Sequence, residues 1–227
     1  MKSKKIYIIF LIIAVSIIIF SYMIFKITNN KKEIQVATES EKTEEMIENY
    51  NIILKSENAK VCNVNQQEIT NKDIILTKIF NKKTNEEEAK EKTIEDTVVL
   101  QEINKKEIKL NENDSNYVDE IVKGLKSNSE FDSSYSEKEK KEILSDIHQK
   151  LYNDALINQY KSQIIKEISS KTFIPQNENI NNQYQEYLKI QEKWDNKKGI
   201  SYKELQDARD KFIEFYIADL RSRTVVK

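Results

Sequence analysis

Two side chains in this sequence could act as a base or a thiolate near neutral pH. They are His148, the single histidine, and Cys62, the single cysteine. A Ser-His-Asp or Cys-His device would have to use His148. It stands in EILSDIHQKLYND, among charged helix residues, where a solvated surface histidine is the simpler reading. Cys62 is alone, so it forms no intramolecular disulfide and supports no cysteine-based metal site. Glu86, Glu87 and Glu88 offer clustered carboxylates, but acids in the first turn of a helix favour its dipole and need no further role. No catalytic residue, metal or cofactor is expected from these residue types.

The feature that organises the chain is instead apolar. Ile6 to Phe25, IYIIFLIIAVSIIIFSYMIF, carries no charge and only Ser16, Ser21 and two tyrosines as polar breaks. As a helix it spans roughly 30 Å, the hydrocarbon thickness of a bilayer. Ile6, Phe10, Leu11, Ile18, Phe20 and Phe25 are among the side chains that would meet membrane lipid. A cleaved signal peptide is the alternative, since MKSKK is a basic leader. The run is long for a signal core, however. Ile19 and Ser21 make a poor cleavage site, and no cysteine closes the run for lipidation. Lys2, Lys4 and Lys5 before it match Lys26, Lys31 and Lys32 after it, so charge does not fix the orientation.

Composition bounds the remainder. The chain has 37 basic and 38 acidic residues, with two glycines and one proline. Without the three leading lysines the balance is 34 to 38, a net of −4. That interspersed, mildly acidic surface is not a nucleic-acid footprint. So few chain breakers argue against a turn-rich β-sandwich or barrel and for long helices.

Helical periodicity places the elements. An amphipathic helix is predicted over 39–56, with a capping box of Thr38 and Glu41. Val61 to Val64 reads as a short strand and Asn65 to Gln67 as a turn. Thr70 with Asp73 starts a helix bearing Ile74, Ile75, Ile79 and Phe80. Further helices are predicted over 85–107, from Asn111 through Leu125, over about 137–170, over 177–197 and from Ser201 through Leu220, with 127–135 as a loop. The Tyr117, Val118, Ile121, Val122, Leu125 set makes one clear stripe. In the long helix, Leu144, Ile147 and Leu151 share a face. Pro175 stops that helix, and the tail Thr224-Val225-Val226 is strand-like.

Over residues 60 to 126 the order of parts is distinctive: a strand, VNQQEIT at 64–70, a helix, then the stretch Val98 to Val122. This resembles the N-terminal chaperone domain of the SurA and PrsA foldases, related to the substrate-binding part of trigger factor. The match extends over most of 59–227. Gln66 stands where that family usually has glycine, so the turn must tolerate a side chain; Glu107 likewise replaces a family glycine. The resemblance implies a mainly α, elongated domain in which the last strand returns to pair with the first. It implies no isomerase, because the parvulin module is glycine-rich and carries histidines.

The expected organisation is then a cytoplasmic leader at 1–5, a transmembrane signal anchor at 6–25, a juxtamembrane segment and helix at 26–58, and the chaperone-like domain at 59–227, outside the cytoplasm. The implied activity is to hold unfolded or exported polypeptides. Tyr184, Tyr187, Trp194, Phe212, Phe215 and Tyr216 are the expected lining of a client groove, or else simply core. A non-catalytic scaffold of an envelope, secretion or sporulation assembly is the alternative function.

Overall fold

Short polar side chains open almost every helix, and they do so where the sequence predicts. The structure, a computed structural model, describes residues 48–56, 58–82 and 85–227. The apolar run 6–25 and the Thr38–Glu41 capping box lie outside these residues. Among the described residues no helix is long and apolar enough to cross a membrane.

A helical segment over 48–55 leads to a hairpin of β1 (Lys60–Val64) and β2 (Gln67–Thr70). Seven helices follow: α1 (Asn71–Phe80), α2 (Glu86–Lys105), α3 (Glu112–Lys126), α4 (Ser129–Ser134), α5 (Glu137–Ser169), α6 (Glu178–Asp195) and α7 (Tyr202–Ser222). Thr70, Ser136 and Ser201 cap α1, α5 and α7 through reciprocal capping boxes with Asp73, Glu139 and Glu204. Asn85, Asn111 and Asn177 cap α2, α3 and α6.

The sheet differs from expectation in one respect. Its two strands are β1 and β2, paired antiparallel, so QEIT is a strand rather than only a turn and a helix start. The two-residue turn works without glycine because Asn65, not Gln66, takes the left-handed conformation at φ 57°. The C-terminal tail does return to β1, as a single bridge between Val64 and Val226 on the edge away from β2.

Other differences follow from packing. Residues 129–134, expected as loop, form α4, whose first turn is capped by Asn128 Oδ1 accepting from Phe131 N–H. Phe131 is buried there beside Tyr50, with ring centroids 5.2 Å apart. The segment from Asn49 therefore belongs to the same compact unit as the strands and helices, whereas the sequence put the domain's start at 59. On α3 only Val118 of the predicted stripe is fully buried, and Tyr117 faces solvent. On α5 the buried positions begin with Ile143 and Ile147, leaving Leu144 and Leu151 half-buried.

The main core gathers β1, β2, α1 through Ile74, α2, the second half of α5, α6 and α7. Phe173, in the strap between α5 and α6, is its aromatic hub. It meets Tyr184 and Phe212 edge-on, each at 5.3 Å, and Tyr216 at 6.0 Å. The hydroxyls of Tyr160 and Tyr216 lie 3.0 Å apart, so two buried polar atoms satisfy each other.

Candidate functional site

The expected groove aromatics separate into two groups. Tyr184, Tyr187, Phe212 and Tyr216 are buried against one another and Phe173, so in this fold they are core. Phe215 is half-buried against the same core. Only Trp194 reaches the surface, at 37% exposure. The six do not line one groove.

A cleft lies elsewhere, between β2, α1, α2 and α5, with a cavity of about 460 Å³. Its walls mix charged and polar side chains with Ile69, Leu76, Leu100 and Ile157. Lys72 from α1 is buried and donates to Glu142 and Asp146 of α5, each at 2.9 Å. Burial works against the Lys72 ammonium, but those two carboxylates outweigh it and hold its pKa above the ordinary lysine value. Asp96 from α2 is 7% exposed; Oδ1 accepts from Lys92 at 2.6 Å, while Oδ2 lies 3.8 Å from Lys150 without a hydrogen bond. Burial raises the Asp96 pKa, and the charges of Lys92 and Lys150 pull against that rise. Lys150 also pairs with Asp154 at 2.6 Å.

The opening of the cleft is a strand edge. All four residues of β2 line it, although their side chains alternate between faces. Consecutive residues share one cavity when the strand's edge borders it. Asn63 turns both backbone groups toward the tail, donating to Lys227 at 2.7 Å and accepting from it at 2.9 Å. Its partner across the hairpin is Glu68. Antiparallel pairs alternate in hydrogen bonding, so Glu68 directs its own N–H and C=O away from β1. No hydrogen bond among the described residues engages them. The tail thus closes the β1 edge and leaves the β2 edge open.

Chemically this arrangement can bind but has no visible reaction. The lining holds two lysines, Lys72 and Lys150, against five acids, Glu68, Asp73, Asp96, Asp146 and Asp154. No histidine or cysteine lines it. His148 lies on the outer part of α5, 3.0 Å from Asp119 and 41% exposed, and Cys62 is buried in the sheet. Among the described residues no cluster of histidine, cysteine or carboxylates is placed to hold a metal.

The cleft was not predicted, because Lys72, Asp96 and Lys150 read as ordinary helix-surface charge. A signal was present in α2. Thr93, Asp96 and Thr97 recur at i, i+3 and i+4 beside the apolar positions, and all three are buried. A polar stripe flanking the core face is what a buried polar cleft requires. Comparison with family models, with curated proteins and with solved structures finds no match for this chain.

Proposed function

We propose that this chain is a membrane-tethered, extracytoplasmic, chaperone-like protein that binds unfolded or exported polypeptides and does not catalyse prolyl isomerisation. The observation that carries the reading is the return of the tail to β1, where Val226 lies opposite Val64. That closure is what the resemblance to the SurA and PrsA chaperone domain implies, and helical periodicity does not ask for it. The tether rests on the apolar run 6–25, and the extracytoplasmic side rests on the resemblance. The non-catalytic part rests on one histidine, held at the surface by Asp119, and on two glycines.

The polypeptide-binding surface that the geometry favours is the cleft beside β2. Its open edge offers the Glu68 backbone pair to an extended chain, and its acid-rich lining suits lysine or arginine side chains. Such contacts are few, so binding is weak and tolerant of sequence.

A scaffold that binds one folded partner is the second reading. It is favoured by the burial of Tyr184, Tyr187, Phe212 and Tyr216, which removes the apolar groove a general holdase would use. Light scattering separates the two. A holdase suppresses aggregation of several unrelated denatured proteins, whereas scattering left unchanged by excess protein promotes the scaffold. Protease added to intact protoplasts tests the orientation: a domain that survives until lysis lies on the cytoplasmic side.

A further inference from the structure

The turn between α6 and α7 carries the most exposed aromatic pair in the main unit. Trp194, at the end of α6, packs against Tyr202, the first residue of α7, with ring centroids 5.9 Å apart. Neither ring enters the core; Tyr202 is 55% exposed. The Arg209 guanidinium lies over the Tyr202 ring, 5.7 Å from its centroid. The turn itself is tightly built. Lys197 N–H donates to Trp194 O at 2.9 Å and Lys198 N–H to Lys193 O at 2.8 Å, with Lys197 and Gly199 left-handed at φ 54° and 74°.

Charge around this pair is lopsided. Lys193, Lys197, Lys198 and Lys203 are exposed, and none forms an ion pair among the described residues. Two of the neighbouring acids are engaged: Asp195 by Lys171 at 3.2 Å, and Glu204 by Ser201 in the capping box. Lys171 with residues 192–204 holds five lysines and three acids, a net of +2, whereas residues 26–227 carry a net of −4.

We infer that the α6–α7 turn docks on an anionic lipid surface through Trp194, Tyr202 and the lysines beside them. Indole and phenol rings have an apolar body and a polar tip, which suits headgroup depth. The lysine stems cover apolar surface while their ammonium groups reach lipid phosphate. The inference rests on the tether proposed above, because a run such as 6–25 keeps the domain beside a bilayer. An acidic protein face would satisfy the lysines but would give no lipid signal.

Trp194 is the only tryptophan in the chain, so its fluorescence reports this turn alone. The full chain is reconstituted into vesicles of phosphatidylcholine alone or with phosphatidylglycerol, each containing a lipid with a nitroxide near its headgroup. Trp194 emission should shift to the blue and be quenched by the lipid. Quenching should be about twofold stronger in the anionic vesicles and weaken in high salt, as expected of lysines within a Debye length of a charged surface. Replacing the exposed pair, Lys197→Glu with Lys198→Glu, should abolish that difference while circular dichroism stays unchanged. Trp194 quenched by soluble iodide but not by lipid in either vesicle overturns the inference. A chain that carbonate washes off the vesicles overturns the tether, and the inference falls with it. Retention after the wash without lipid quenching overturns the inference alone.

Discussion

Val64 of β1 and Val226 of the tail form an antiparallel bridge, and the backbone bonds that flank it run through Asn63 of β1 and Asn65 of the turn, on groups that β2 does not use. Asn63 exchanges two hydrogen bonds with Lys227, and Asn65 N–H donates to Val225 O at 2.7 Å. Truncation after Arg223 removes all three. Water replaces part of the loss, so the cost should be about 2–3 kcal/mol, at about 1 kcal/mol for each net bond. Denaturant unfolding measures it; an unchanged midpoint would mean that the tail is frayed in solution.

That bridge also marks what the sequence made legible. The caps Thr70, Ser136 and Ser201 announce their helices locally, because a capping box needs only residues three apart. The return of the tail came from the order of parts, not from propensity. The cleft was hidden for a different reason. Lys72 meets Glu142 and Asp146 across 70 and 74 residues, and charge on separate helices carries no local sign of pairing. Helix α4 was missed because its six residues are held by Phe131 packing on Tyr50, which overrides a serine-rich composition.

Two aromatics of the same expected groove should behave differently when truncated. Phe212 is buried against Phe173, Tyr184, Tyr187 and Tyr216. Phe212→Ala leaves a cavity there and should cost about 3–5 kcal/mol in an unfolding titration. Trp194→Ala removes a partly exposed ring on a capped turn and should cost about 1 kcal/mol or less. Equal costs would place Trp194 in the core and remove the surface pair on which lipid docking depends.

Acid should unfold the domain partly through its caps. The carboxyl of Glu204 is held below its ordinary value of 4.5 by the Ser201 backbone N–H, then by the Ser201 hydroxyl. That of Glu139 is lowered by the Ser136 hydroxyl, then by its N–H. A carboxyl with a lowered folded pKa stabilises above its unfolded value and ceases to do so as pH falls through the folded one. The contribution is therefore whole above pH 4.5 and is lost below it. Asp96 acts in the opposite sense, since burial raises it above 3.8 and protonation relieves a buried charge. Glu139→Gln with Glu204→Gln keeps an acceptor for each cap but cannot titrate. Its melting temperature should fall less steeply than the wild type's between pH 4.5 and the acid limit, and parallel curves would show that the caps do not govern acid sensitivity.

Whether polypeptides use the β2 edge turns on Glu68. Its N–H points away from β1, so Glu68→Pro should remove the outward donor while leaving the hairpin's own bonds in place. Proline is tolerated at such an edge position, and the melt should move by no more than about 1 kcal/mol. An extended lysine-containing peptide should bind the wild type and lose roughly tenfold in affinity to Glu68→Pro, since about 1.4 kcal/mol separates tenfold steps and one backbone bond is worth about that much when its partner is left unpaired. The same peptide with glutamates for lysines should bind the wild type poorly, because five acids and two lysines line the cleft. Equal binding by Glu68→Pro with an unchanged melt would exclude strand addition at β2. Equal binding of both peptides would exclude the acid-rich lining as the source of selectivity, and clients would then have to be held at another surface of the domain.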